Sequence, residues 1–170
     1  MDLYKIVEEY AALGDHRTGT AVDRATIEWF CDQLRGIGAG VETVEFSIDL
    51  YRAHWRVSLD NEEVLSLPLY YEATGRTRTT SVCHDVLRVE SYAAAFRDLP
   101  GILSAAKRSG SKALVVATEC PNNSLYAINR KPISAGGIPT LLVAGNLAAW
   151  LATASIEVEL DAKIEPGVST

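Results

Sequence analysis

Apolar and polar positions along this chain follow two rhythms. At the start, Leu3, Ile6, Val7, Tyr10 and Leu13 share one face of a helix predicted over Asp2–Leu13, with Glu8 and Glu9 on the other face. Gly14 ends it. The same spacing returns at Val22, Ala25, Trp29, Phe30, Leu34 and Ile37, which predicts a second helix over Val22–Ile37. Thr20-Ala-Val-Asp23 reads as its capping box, with Asp where Glu or Gln is usual, and Gly36, Gly38 and Gly40 stop it. The rhythm then shortens. Val41–Ile48 alternates imperfectly and predicts a strand, and Tyr51–Leu59 with Glu63–Leu67 predicts a hairpin turning at Asp60-Asn61. Pro68–Ser81 is polar and turn-rich, Val82–Val89 predicts a strand, and Ser91–Phe96 fits neither rhythm.

The strongest signal lies further on. Ala113-Leu-Val-Val-Ala117 and Ile138-Pro-Thr-Leu-Leu-Val-Ala144 are unbroken apolar runs, short, rich in Val and Leu and bounded by turn residues. Such runs are strands buried on both faces. Helix-like segments at Gly101–Ser109 and Asn146–Ala152 precede the first and follow the second, which predicts a layered α/β module. Ser155–Ile164 alternates Ile156, Val158, Leu160, Ala162 and Ile164 against polar residues, and Pro166-Gly167 is expected to break that strand.

A length of 170 residues suits one domain with a real core, or a domain and a small appendage. The 48% hydrophobic and 22% charged content is that of an ordinary globular protein. A net charge of −6 and the lack of a basic stripe argue against a nucleic-acid or anionic-membrane partner. The N-terminus has acids where a signal peptide needs positive charge, and no apolar run approaches membrane-spanning length, so a cytoplasmic location is expected. Cys31, Cys83 and Cys120 form no metal-binding spacing and read as reduced, inert thiols.

Arg17-Thr-Gly19, the helix ending Leu34-Arg-Gly-Ile-Gly38 and the strand Val41–Phe46 resemble the opening of M28-type zinc aminopeptidases. Ala117–Gly145, with Leu125-Tyr-Ala-Ile-Asn129 in its loop and Ile138-Pro139 opening its strand, is similar to the protease-associated (PA) insert of that family. The resemblance implies an α/β fold: a PA-like swivelling β/α domain with a mixed sheet over 41–170, preceded by two N-terminal helices over 1–40. In that family the metal-binding half follows the insert, about where Thr170 stands, so the resemblance implies either a fragment of such a protein or a free-standing relative without the zinc site. No family ligand is matched here, so no zinc ligand and no cofactor is expected of these residues.

The chemical groups are few. A two-zinc site needs about five converging N or O ligands, whereas the chain has three histidines, His16, His54 and His84, none in a ligand frame. His84 and Asp85 are strand neighbours and point to opposite faces, as do Cys83 and His84. Asp15-His16-Arg17 is the candidate catalytic cluster: a Gly-flanked turn before a helix N-terminus, where backbone N–H groups and Arg17 suit an anion, and Thr18 and Thr20 add hydroxyls. The alternative is that Arg17 pairs with a carboxylate and Thr20 caps the helix. Arg76 and Arg78 form a candidate anion site in a polar loop, unless they are simply solvated. The long loop Glu119–Gly137 offers Tyr126, Asn129, Arg130 and Lys131 as contacts for a ligand or partner, unless Tyr126 packs on the sheet. Gly136-Gly137 precedes a strand and is no phosphate loop, Ser124 and Ser134 lack a nucleophile frame, and Trp29, Trp55 and Trp150 are expected in core or interface work.

Three function classes follow. One is a non-catalytic accessory domain of an aminopeptidase-like protein, framing an active site or binding a peptide or protein partner such as a catalytic subunit. Another is a small stand-alone enzyme using His16 with Asp15 and Arg17 on a small polar metabolite. A third is an assembly module in which Ser155–Ile164 is an open edge that pairs with a second copy or another subunit.

Overall fold

The two apolar runs become the centre of a sheet. In the computed structural model, which describes residues 3–14, 16–128 and 137–169, the chain divides into two compact units: Met1–Leu50 with Glu165–Thr170, and Tyr51–Ile164. The second unit is thus an insertion in the sequence of the first. The division falls at Leu50 and again at Ile164, where a single boundary at residue 40 is expected from sequence, because two long strands, β1 (Phe46–Leu59) and β8 (Ile156–Ser169), carry residues of both units.

Among the described residues, eight strands form two four-stranded sheets. One has the order β2 (Glu62–Val64), β1, β8, β4 (Gly75–Thr79). The other is mixed, in the order β3 (Ser66–Pro68), β7 (Thr140–Ala144), β6 (Ala113–Glu119), β5 (Val82–Arg88), with β3 antiparallel to β7 and the other pairs parallel. The α/β class expected from sequence is therefore the one observed. The helices are α1 (Leu3–Ala12), α2 (Ala21–Gly36), α3 (Tyr92–Arg108) and the short α4 (Ala148–Leu151), which follows a 3-10 turn at Gly145–Leu147.

The inserted unit owns its core. Along β6, Leu114 and Val116 face α3 and pack with Leu87, Leu99, Leu103 and Leu142. Ala113, Val115 and Ala117 face the other sheet and pack with Val57, Leu59, Val143 and Val158. The period-two alternation places one face of β6 under a helix and the other under a sheet, which is why its sequence is an unbroken apolar run. Trp55 on β1 ties the layers by donating its Nε1–H to the Ser66 carbonyl on β3, at 2.9 Å.

The first unit is built differently. Thr20 caps α2: its Oγ1 accepts from the Asp23 N–H at 3.1 Å. Asp23 Oδ2 accepts from the Gly19 N–H at 2.6 Å and from the Ser169 hydroxyl at 2.8 Å, so one carboxylate ties the end of β8 to the start of α2. Gly19 has φ +79°, and a Cβ there would overlap Leu50 and Ile48. Tyr10 of α1 meets Trp29 of α2 with ring centroids 6.2 Å apart. Among its described residues, Cys31 and Leu50 are the buried apolar side chains.

Several sequence expectations are corrected. No strand covers residues 41–45; β1 starts at Phe46 and runs on through Asp49-Leu50. The hairpin at Asp60-Asn61 is present, with φ of 50° and 69° at its two turn residues, but Glu63–Leu67 splits at exposed Leu65 into β2 and β3, which lie in different sheets. Polar Gly75–Thr79 is a strand. The segment that fits neither rhythm is the first turn of α3, capped by Ser91, whose Oγ accepts from the Ala94 N–H at 3.2 Å. Finally, β8 runs through Pro166-Gly167, where Gly167 admits the side chain of Leu50 into space a Cβ would fill. It lies between β1 and β4, so Ser155–Ile164 is not the open edge expected of it.

Candidate functional site

The turn before α2 carries the candidate catalytic cluster. Asp15 lies outside the described residues. His16 is half-buried, stacks on Tyr10 with centroids 4.0 Å apart and 12° between ring planes, and its Nδ1 is 2.7 Å from Thr26 Oγ1. That hydroxyl donates to the Val22 carbonyl at 2.7 Å, so it meets His16 as an acceptor of the Nδ1–H. The imidazole is thereby held against both helices. The Arg17 carbonyl accepts from the Thr20 hydroxyl at 2.7 Å. Thr20 and Asp23 are used in capping and in closing the turn.

Arg76 and Arg78 stand on β4 and meet carboxylates of β8. Arg78 Nε is 2.9 Å from Glu157 and 3.2 Å from Glu159, and Arg76 Nε is 3.5 Å from Asp161. Arg56 on β1 reaches Glu159 from the other side at 2.6 Å. Glu157, hydrogen-bonded and close in charge, raises the Arg78 pKa above its ordinary value. The result is a cross-strand ladder of alternating sign, in which each arginine expected to bind an anion already faces an acid.

In the long loop, Tyr126 is half-buried against the α3-side core and donates its backbone N–H to Thr118 Oγ1 at 3.1 Å. Ile128 is fully buried in the same core. Asn129, Arg130 and Lys131 lie outside the described residues. The loop's return is tight: a Cβ on Gly137 would overlap the Glu72 carbonyl, and the buried Glu72 carboxylate has Lys107 Nζ 3.8 Å away. The cluster turn belongs to the first unit and this loop to the second. Trp150 and Trp55 serve structure, as expected: Trp150 donates to Asp60 Oδ2 at 2.8 Å and Trp55 packs between the apolar clusters.

His54 stands on β1 and His84 on β5, in different sheets, and His16 lies before α2. Among the described residues, no three His, Cys, Asp or Glu side chains come together in a group that would hold a metal ion. No described helix is long and apolar enough to cross a membrane.

Sequence reasoning missed a cleft of about 640 Å³ in the first unit. Ile27, Cys31 and Val168 supply apolar lining; Arg24, Glu28, Asp32, Arg35 and Glu45 supply charge. The signal was a second stripe on α2, with Arg24, Ile27, Glu28, Cys31 and Arg35 at helical spacing beside the stripe that faces α1. The first unit also exposes Leu3 (72%), Val7 (63%) and Phe30 (55%), with Tyr4, Ile37, Val44 and Phe46. Its sequence holds four Lys and Arg against eleven Asp and Glu, while the inserted unit holds twelve against eleven.

No family model matches the sequence, and no curated protein matches it. Solved structures do. A zinc aminopeptidase from Bacillus subtilis, BSAP, aligns over 94% of this chain and 43% of its own, with TM-score 0.62 at 15% identity. A second determination of that enzyme gives 94%, 42%, 0.61 and 13%. An aminopeptidase from Aneurinibacillus sp. strain AM-1 aligns over 99% of this chain and 46% of its own, with TM-score 0.45 at 16% identity. The chain therefore spans less than half the length of these proteins. Its described donor groups do not make a site that fits zinc. Over nearly its whole length, the chain has the fold of part of a zinc aminopeptidase.

Proposed function

We propose that this chain is a non-catalytic accessory part of an aminopeptidase-like protein, in which the inserted unit is PA-like and frames an active site carried elsewhere or holds a peptide or protein partner. One observation carries this reading: the chain has an aminopeptidase-type fold over 94% of its length, while its described imidazoles and acids are too dispersed to hold a hydrolytic metal. The use of the candidate groups supports it. His16 is stacked and hydrogen-bonded as a structural link, and the arginines of β4 are matched by acids. The test is zinc content and turnover of the purified chain after zinc loading and dialysis. No stoichiometric zinc and no hydrolysis of leucine p-nitroanilide are expected. One zinc per chain that disappears in His16→Ala or His84→Ala, or turnover by the isolated chain, overturns the proposal.

A further inference from the structure

We propose that the open edge of β5 takes up an extended peptide of another protein as an added strand, seating one aliphatic and one Lys or Arg side chain between β5 and α3. Among the described residues, β5 is the last strand of its sheet and pairs with β6 alone. On the β6 side, the Ser81 carbonyl accepts from the Lys112 N–H at 2.8 Å, and the Val89 N–H donates to the Glu119 carbonyl at 2.7 Å. Main-chain groups of successive residues alternate sides along a strand, so those of His84, Val86 and Arg88 point away from β6. That row is what an incoming strand pairs with. Its centre is guarded: Asp85 Oδ1 accepts from the Val86 N–H at 2.7 Å, in the place an incoming carbonyl would take.

The lining beside this edge says what it takes. Two open hollows follow one another between β5 and α3, and Ile102 borders both. The first, of about 190 Å³, is lined by apolar Cys83, Ala105, Ala106 and Leu114, with Asp85 beside them. It has room for one aliphatic side chain. The second, of about 420 Å³, is lined by Leu87, Asp98 and Glu119, with Arg88. Arg88 meets Glu119 at 3.6 Å, and Arg97, outside the hollow, meets Asp98 at 2.8 Å. Three carboxylates against one guanidinium therefore line the two hollows themselves, which favours a cationic side chain in the second. Two hollows in line beside a strand edge suit alternate side chains of one extended chain better than a compact metabolite. A second copy of this chain would bring its own guarded edge, with two Asp85 carboxylates in place of one. This seat deepens the partner-holding role proposed above and rests on that reading of the inserted unit.

Selection of random nonapeptides by phage display on the full chain tests this. Enriched peptides are expected to lack proline at their centre. They should carry Val, Leu or Ile an even number of residues from Lys or Arg, as side chains on one face of a strand must be. The best peptide, synthesised, should slow hydrogen exchange at the His84 and Arg88 amides. Methylating its backbone nitrogens one at a time should weaken binding at least about tenfold at alternate positions and little at those between, because only alternate N–H groups of an added strand face β5. Ala105→Glu, at an exposed position of α3, should weaken binding by a similar factor. An unchanged circular dichroism spectrum keeps that variant informative, and the methylated peptides need no variant at all. No enriched peptide, protection confined to other strands, methylation tolerated without alternation, or a dimer paired through β5 overturns the seat. Zinc-dependent turnover by a chain that still seats the peptide on β5 sinks the proposed function and leaves the seat standing. A zinc-free, inactive chain that protects no β5 amide does the reverse.

Discussion

Single residues show where short-range chemistry is enough. Asp60 and Asn61 adopt positive φ, as a two-residue hairpin turn requires, and the Asp60 carboxylate accepts from Trp150 Nε1 and from the Ser155 N–H at 2.9 Å. Those hydrogen bonds, Trp150 first, lower its pKa below the ordinary 3.8. A depressed carboxylate contributes stability that is present above the unfolded-state value and is lost as pH falls through the folded-state value. Asp60→Asn should therefore unfold more readily in urea near neutral pH, and the gap from wild type should close as pH is taken below that ordinary value. A gap that widens on acidification contradicts the assignment. Thr20 was legible as a cap in the same local way. Thr20→Ala should cost about 1 kcal/mol, measured by denaturation of the first unit with a probe such as Trp29 fluorescence. Arg76 and Arg78 were not legible, because their acidic partners lie some eighty residues away on β8, beyond any local pattern.

At the scale of elements, breakers misled where tertiary contacts override them. Pro100 places the expected start of a helix at Gly101, yet α3 begins at Tyr92 and runs through the proline, held by Ala95, Leu99, Leu103 and Ala106 in the core. A proline there removes a backbone bond to Phe96. It sits on the exposed side, so Pro100→Ala should stabilise the inserted unit by about 1–3 kcal/mol, read as a higher melting temperature. Leu99→Ala should cost about 2–5 kcal/mol by leaving a cavity under β6. If that substitution is neutral in denaturant unfolding, the α3-side core is packed otherwise. β4 escaped notice for a related reason: an edge strand buries little, so Gly75-Arg-Thr-Arg-Thr79 carries no apolar alternation to betray it.

For the whole molecule, the uneven distribution of core is the main result. Among the described residues, the three apolar clusters all lie in the inserted unit and none lies in the first. Local opening follows the density of buried contacts. Amides of α1 should therefore exchange with deuterium close to the rate of an unfolded chain, while those of β6 and β7 exchange slowest. Equal protection of α1 and β6 in the isolated chain contradicts this picture.

By itself the sequence determined the parts that local periodicity and backbone preference control: the two N-terminal helices, the Thr20 cap, the Asp60-Asn61 turn and the doubly buried pair β6 and β7. Only the tertiary structure decided the rest. It split Glu63–Leu67 between two sheets, carried β8 through Pro166-Gly167 into the middle of one of them, matched Arg76 and Arg78 with distant acids, and left the amphipathic faces of α1 and α2 uncovered. An apolar stripe records that a face prefers to leave water; whether anything in the chain reaches it depends on contacts far apart in sequence.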